Sequence, residues 1–303
     1  MNYLAWKLFI DTVELGSLSN AAAAWGTSQP NVSRQIRELE TECGGRLFRR
    51  TGRGVVLTEL GKRIAPQIRT WLDRTEQLRN DIRETAGTPI GKVRLGILPS
   101  TAHPWIGKLF SQLREQFPLV QLEVREGQGA QLETWLEEGR VDLAILFRQD
   151  PMPGNGDIYL VDTLTYLLGP AGDALTASPD VPFSALDKIP LALFCRPSSW
   201  RDRLDQCCSR HGVSLQVVLE ADSLALQIEA VAGGNCYALL GPYASFAAKR
   251  NYGIQVSKVI EPEIHRYIAL AMSPHGELTL ACKTVKGLIK DIAKHHSNVL
   301  PGD

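Results

Sequence analysis

Leu4, Leu8, Phe9 and Val13 recur at helical spacing, and Gly16 then interrupts them, which predicts an amphipathic helix of about three turns. A short second helix follows, capped by Ser19, carried by the slim run Ala21 to Ala24 and stopped by Gly26 in a left-handed conformation. A third starts at once, with Ser28 as N-cap and Pro30 tolerated in the first turn. Val32, Ile36, Leu39 and Cys43 share one of its faces. The opposite face carries Pro30, Arg34, Arg37 and Thr41, flanked by Asn31 and Ser33. Two helices joined by a tight turn containing Gly, the second exposing Gln29, Asn31, Ser33 and Arg34 near its start, form the pattern of a helix-turn-helix DNA reader. Taken alone, the same face also reads as an Arg-rich solvated stripe. Leu47 and Phe48 then return to the core, Thr51-Gly52-Arg53-Gly54 makes a tight turn, and Val55 and Leu57 alternate as a strand. This is a wing, and an arginine at its tip suits a narrow, electronegative minor groove.

Thr58 is the predicted N-cap of a long helix in which Leu60, Ile64, Ile68, Trp71, Thr75, Leu78 and Ile82 alternate at four and three residues. That heptad seam predicts burial of a narrow stripe against another helix in preference to packing on its own domain, with Pro66 a possible kink. After a linker at 85–91, period-two and helical patterns alternate: a strand over 93–97, a helix over 106–117, a strand over 120–124, a helix over 132–136 and a buried strand over 141–147. A second series follows, with strands near 164–168, 191–194, 217 and 236–240 and helices from Trp200 and across 224–231. A strand over 267–272 and a helix over 278–296 close the chain.

Length adds domain count. At 303 residues, two or three compact units are expected. Hydrophobic residues at 44% and charged residues at 22% fit a globular chain. With no long uncharged apolar run and no basic start followed by an apolar core, the expectation is a cytoplasmic protein without membrane partners. Six cysteines without metal-ligand spacing suggest small apolar residues in a reducing compartment, and no metal. Net charge is +0, yet residues 25–63 hold eight basic side chains against four acidic ones, which is where a polyanion would dock.

The segments GSLSNAAAAWGTSQPNVSRQIRELE and GGRLFRRTGRGVVLTELGKRI closely resemble the LysR-type family of bacterial transcriptional regulators, almost without gaps over residues 2–65. The resemblance implies an α/β protein: a winged helix-turn-helix domain over 1–58, a dimerising linker helix and hinge over 59–90, and a two-lobed, periplasmic-binding-protein-like effector domain over 91–303. Lobe I would take 91–162 and 267–303, and lobe II 163–266. Ser28, Gln29, Pro30, Asn31, Ser33, Arg34, Arg37 and the wing residue Arg53 become the implied DNA-binding set. Many relatives have Ala or Thr where Asn31 stands, and Asn pairs well with adenine, so operator preference is expected to differ. Implied partners are double-stranded pseudo-palindromic DNA with half-sites about 34 Å or a multiple apart, a second copy of the chain as homodimer or homotetramer, and RNA polymerase.

No cofactor is expected, only a small-molecule effector, a carboxylate or another anion, held between the lobes where strand ends and helix N-termini converge. The residues expected there are Ser100 and Thr101, with helix capping as their alternative role, then Gln128, Phe147, Arg148, Pro197, Ser198, Ser199 and Arg201. Trp105 or Trp200 would supply an apolar wall. An enzyme is not expected: GxSxG, HExxH, GxGxxG and a complete P-loop are missing, GTPIGKV over 87–93 being too short between glycines. The adjacent His295 and His296 read as a solvated helix end. Two alternatives accompany the regulator reading. One is a redox sensor using Cys208 with another cysteine, although Ser199 stands where the reactive thiol of peroxide-responsive relatives would be and Cys195 would have to substitute. The other is a cytoplasmic small-molecule-binding protein without a regulatory role.

Overall fold

A computed structural model describes residues 2–52, 54–83, 87–151, 156–275 and 278–296, and it divides into two compact units. The first begins with α1 (Tyr3–Leu15), α2 (Leu18–Ala24) and α3 (Gln29–Glu42), the hairpin β1 (Phe48–Thr51) and β2 (Gly54–Leu57), and α4 (Glu59–Arg83). α1 buries Trp6, Leu8, Phe9 and Ile10, while Leu4, expected on that face, is exposed. Gly16 ends the helix at φ 64, where a Cβ would be strained. α2 starts two residues earlier than the pattern predicts: Ser17, not Ser19, is its N-cap and accepts from the Ser19 N–H. Gly54 must be glycine, because a Cβ there would lie 2.3 Å from the Gly16 carbonyl oxygen, which accepts from the Val55 N–H.

Thr58 caps α4, its Oγ1 accepting from the Gly61 N–H at 3.1 Å. The helix runs without a break through Pro66 for 25 residues, about 37 Å at 1.5 Å per residue. Its first half departs from the expected seam. Leu60, Ile64, Ala65, Ile68, Trp71 and Leu72 pack on the core formed by α1 to α3, and the ring of Trp71 lies 5.8 Å from that of Tyr3. The reason is the helix's position: its first four turns leave directly from the hairpin and cross α1, so the apolar stripe meets its own domain first. Leu78, 60% exposed, is the seam residue left uncovered by its own chain, and the side chain of Ile82 lies outside the described residues.

The second unit holds two sheets. β3 (Gly91–Ile97), α5 (Pro99–Gln116), β4 (Val120–Glu126), α6 (Gly129–Glu137), β5 (Leu143–Arg148) and β6 (Ile158–Leu164) build the first. The chain then crosses into β7 (Tyr166–Gly169), β8 (Asp180–Pro182), β9 (Pro190–Leu193), α7 (Ser199–His211), β10 (Gln216–Glu220), α8 (Leu224–Ala232), β11 (Tyr237–Leu240), α9 (Pro242–Tyr252) and β12 (Gln255–Ile260). It returns as β13 (His265–Met272) and ends in α10 (Leu280–His296). Strand order is β4-β3-β5-β13-β6 in the first sheet and β10-β9-β11-β7-β12-β8 in the second. β3 pairs in parallel with β4 and β5, as βαβ crossovers require, and the returning β13 is antiparallel to both β5 and β6. Separate apolar cores back the sheets, one around Trp105, Leu109 and Val285, the other around Leu168, Phe183, Leu204 and Leu239. The two crossovers are tied where they pass: the buried Thr165 hydroxyl donates to the Ile264 carbonyl at 2.9 Å.

Candidate functional site

In the first unit, α3 presents Gln29, Pro30, Asn31, Arg34 and Arg37 to solvent. Pro30 stands in the first turn, where its missing N–H costs nothing, and Ser28 occupies the N-cap position without a side-chain cap bond. Arg34 makes only a 3.9 Å contact with Glu38, both side chains being well exposed, so it leaves that pair at little cost. Ser33 departs from expectation. It is buried at 8%, and its hydroxyl and carbonyl accept from Arg37 at 3.0 and 3.3 Å, so it orients Arg37 and does not itself face solvent. Arg53 lies outside the described residues. Beside α3, Arg37, Arg46 and Arg50 line a cavity of about 360 Å³. Within it the buried Glu40 accepts from the Leu47 and Phe48 N–H groups and from Arg46, fixing the approach to the hairpin.

In the second unit a small cavity forms where α5, α6 and α7 begin: Ser100, Gly129, Ser198 and Ser199 line it together with Gln128, Leu98, Phe147, Phe194 and Trp200. Arg266, near the start of β13, points into this ring. Its side chain is 1% exposed, and none of Nε, Nη1 and Nη2 has a hydrogen-bond partner among the described residues. Its guanidinium carbon stands 4.0 Å from the Trp200 ring centre and 4.5 Å from that of Phe147. Desolvation pushes the Arg266 pKa down to about 9, because burial penalises the charged form and no carboxylate offsets it. Trp200 adds a buried indole N–H, also without a partner. Gly241, capping α9, lies so close that a Cβ would stand 3.6 Å from Arg266 Nε. Helix starts and an unanswered cation converge here, which favours negative charge.

Of the residues expected at this site, Ser100, Gln128, Phe147, Ser198 and Ser199 line the cavity and four do not. Thr101 turns its hydroxyl back to the Leu98 carbonyl at 3.0 Å. Arg148 is held by Glu133 and Asp157; burial opposes its charge, but the two carboxylates prevail and its pKa is raised. Arg201 is buried beside the second sheet, against the Phe194 carbonyl at 2.8 Å and Glu220 at 3.0 Å. Pro197 follows a cis peptide bond one residue before the α7 cap and is not in the lining. Trp105 is buried in the first sheet's core and builds no wall, whereas Trp200 does. Gln128 donates to the Asp222 carbonyl at 2.9 Å and separates the inner cavity from an outer cleft of about 580 Å³, where Glu126 and Asp222 are exposed.

Residues 4–62 match the model described as bacterial regulatory helix-turn-helix protein, lysR family, and residues 86–294 match the LysR substrate binding domain. The chain belongs to the LysR family. Members bind DNA and small-molecule effectors and assemble as oligomers. This LysR regulator is 28% identical to the nitrogen assimilation regulatory protein nac of Klebsiella aerogenes, over 98% of this chain and 97% of that one. It is 30% identical to a probable hydrogen peroxide-inducible genes activator of Streptomyces viridosporus, over 88% and 86%. Full-length OxyR from Pseudomonas aeruginosa shares its fold, with a TM-score of 0.73 at 20% identity over 97% and 95%.

Although its relatives include hydrogen peroxide-inducible activators, the thiols of this LysR regulator are all shifted towards the protonated, less reactive form. All six have raised pKa values: Cys208, in the core behind the second sheet, is pushed up to about 12 by burial, and Cys195 is raised by desolvation and by Asp222. No group of three or more His, Cys, Asp or Glu fit to hold a metal, and no helix long and apolar enough to cross a membrane, occurs among the described residues. Sequence reading missed Arg266, although a signal existed. Arg266, Ile268 and Leu270 alternate, so the strand pattern places a cation on an inward, apolar register.

Proposed function

We propose that this LysR regulator reads its operator through Gln29, Asn31 and Arg34 in the major groove, with Arg37, Arg46 and Arg50 on the phosphate backbone and the wing arginine Arg53 in the adjacent minor groove. Ser28, Pro30 and Ser33 shape and orient that surface. The functional division is a reader over 1–58, a dimerising helix and hinge over 59–90, and an effector domain over 91–303 with lobes at 91–162 plus 267–303 and at 163–266. Its effector is an anion that neutralises Arg266, seated among Ser100, Gln128, Ser198, Ser199 and Trp200. The observation that carries this is the buried guanidinium with three unanswered nitrogens between two aromatic rings. An uncompensated buried charge costs several kcal/mol, a cost that an anion gripped by two hydrogen bonds would offset. Response follows by linkage: an anion that binds one lobe arrangement better than another biases the DNA readers by no more than that difference in affinity. The protein acts without catalysis and in the cytoplasm, where its DNA is.

Selection of bound fragments from genomic DNA, with footprints of the best one, tests the reader. Protection of a pseudo-palindrome that is lost in Arg34→Ala supports it; equal protection by that variant removes Arg34 from the interface. For the effector, a footprint that changes with a cellular organic-acid fraction should stop changing in Arg266→Gln.

A further inference from the structure

The inner cavity restricts the effector further than its sign. Resting on the anion reading above, we infer that the ligand is a small, singly charged oxyanion of about three to five non-hydrogen atoms, of the size of formate, nitrate or acetate. Charge sets the valence. Arg266 is the charged side chain among the described residues of the lining, so one negative charge leaves the buried site neutral, whereas a doubly charged sulfate would leave a net buried anion. Space sets the size. The cavity measures about 10 Å³, roughly the room one water molecule occupies, so even a three- or four-atom head group has to push its lining outward, and each further atom costs more displacement.

The surroundings oppose a longer ligand. Leu98, Phe147 and Phe194 close the cavity with apolar surface, and on the outward side Gln128 is pinned to the Asp222 carbonyl. Beyond it the outer cleft offers Glu126 and Asp222, carboxylates that would repel an anionic tail and give an apolar one nothing to cover it. Donors match the class. Arg266 supplies a planar fork, Trp200 an indole N–H without a partner, and Ser100 and Ser199 hydroxyls stand at helix starts. A flat oxyanion with two or three oxygens satisfies these donors without needing a second cation.

The test is calorimetric titration of the full-length protein with formate, acetate, nitrate, alanine, benzoate and sulfate, in a gluconate background of fixed ionic strength. The same series is run on Arg266→Gln, whose folding is verified by its melting profile and DNA binding. Formate, acetate or nitrate should bind saturably, at least tenfold tighter than benzoate, alanine or sulfate, and should lose at least tenfold in Arg266→Gln. Should benzoate, alanine or sulfate bind as tightly as acetate and depend on Arg266, the size and charge class is wrong while the anion reading stands. Absence of Arg266-dependent binding by all six would overturn both. Should Arg266→Gln fail to fold, Arg266→Lys serves: a point charge without the fork should weaken the small anions several-fold, and unchanged affinity would remove the guanidinium from the site.

Discussion

Arg266→Met should make the effector domain more stable, not less. The substitution removes the unpaired guanidinium and keeps a long apolar stem in the same space. Burial lowers the Arg266 pKa from its ordinary 12.5 to about 9, a shift between three and four pH units. At 1.36 kcal/mol per unit this is about 5 kcal/mol against the charged form. Contacts with the Phe147 and Trp200 rings return about 0.5 to 2 kcal/mol each. The remainder, about 1 to 4 kcal/mol, is the gain expected for the variant at pH 7, or roughly 3 to 10 °C in melting temperature for a domain of this size. The sign of the pH dependence follows from a base whose folded pKa is depressed. Its cost is fully present below pH 9; as the pH rises from about 9 towards 12.5, the folded protein gives up a proton that the unfolded chain keeps, and the difference between wild type and variant narrows. Scanning calorimetry in gluconate buffer at pH 7 and at pH 9.5 measures both. A melting temperature lowered by the substitution would refute the reasoning, because it would make Arg266 a structural staple held by its two rings. Added acetate should raise the wild-type melting temperature and leave the variant's unchanged.

Arg34→Ala should weaken operator binding by about 1 to 3 kcal/mol, or five- to 150-fold, in a mobility-shift titration, with non-specific binding nearly unaffected. Gly61→Ala should destabilise the reader by about 1 to 3 kcal/mol in urea unfolding, because its Cβ would meet the Leu47 carbonyl oxygen at 2.3 Å; a neutral effect would mean that α4 shifts freely. Brief hydrogen peroxide treatment should leave operator affinity within twofold and all six thiols titratable, since each is pushed towards the unreactive protonated form. A peroxide-dependent footprint abolished by Cys195→Ser or Cys208→Ser would restore the redox alternative.

Periodicity made most elements legible because each buries a single face: Val32, Ile36 and Leu39 in α3, or Val93, Leu95 and Ile97 in β3. What escaped depends on neighbours distant in sequence. The stripe on α4 shows that a partner exists but not which one, and its first half packs on α1 and the core of its own domain. Ser33 lies on the polar arc of α3, yet Arg37 folds back over it. Arg148 and Arg201 look like anion clamps until Asp157 and Glu220, nine and 19 residues away, arrive beside them. Arg266 shows the converse. Glu261 and Glu263 stand close to it in sequence, yet no acid pairs with it among the described residues, and its importance lies in the partners it lacks, which only the assembled cavity displays.

That lack has a consequence for regulation. A cation with a protein partner is indifferent to a ligand, because its charge is already answered. Arg266 is not: it has no acceptor among the described residues, and on the effector reading proposed above an arrangement that lets water reach the guanidinium would escape the penalty of about 1 to 4 kcal/mol reckoned for its burial. An anion that supplies the missing acceptor removes that penalty in the closed arrangement alone. The difference corresponds to about five- to several-hundred-fold in the ratio of the two arrangements, which spans the usual range of allosteric coupling, about five- to 150-fold, and exceeds it at its upper end. Replacing Arg266 by a neutral residue therefore does more than abolish binding. It should leave the lobes closed without effector, and the variant's footprint should match that of the anion-saturated wild type rather than that of the unliganded one.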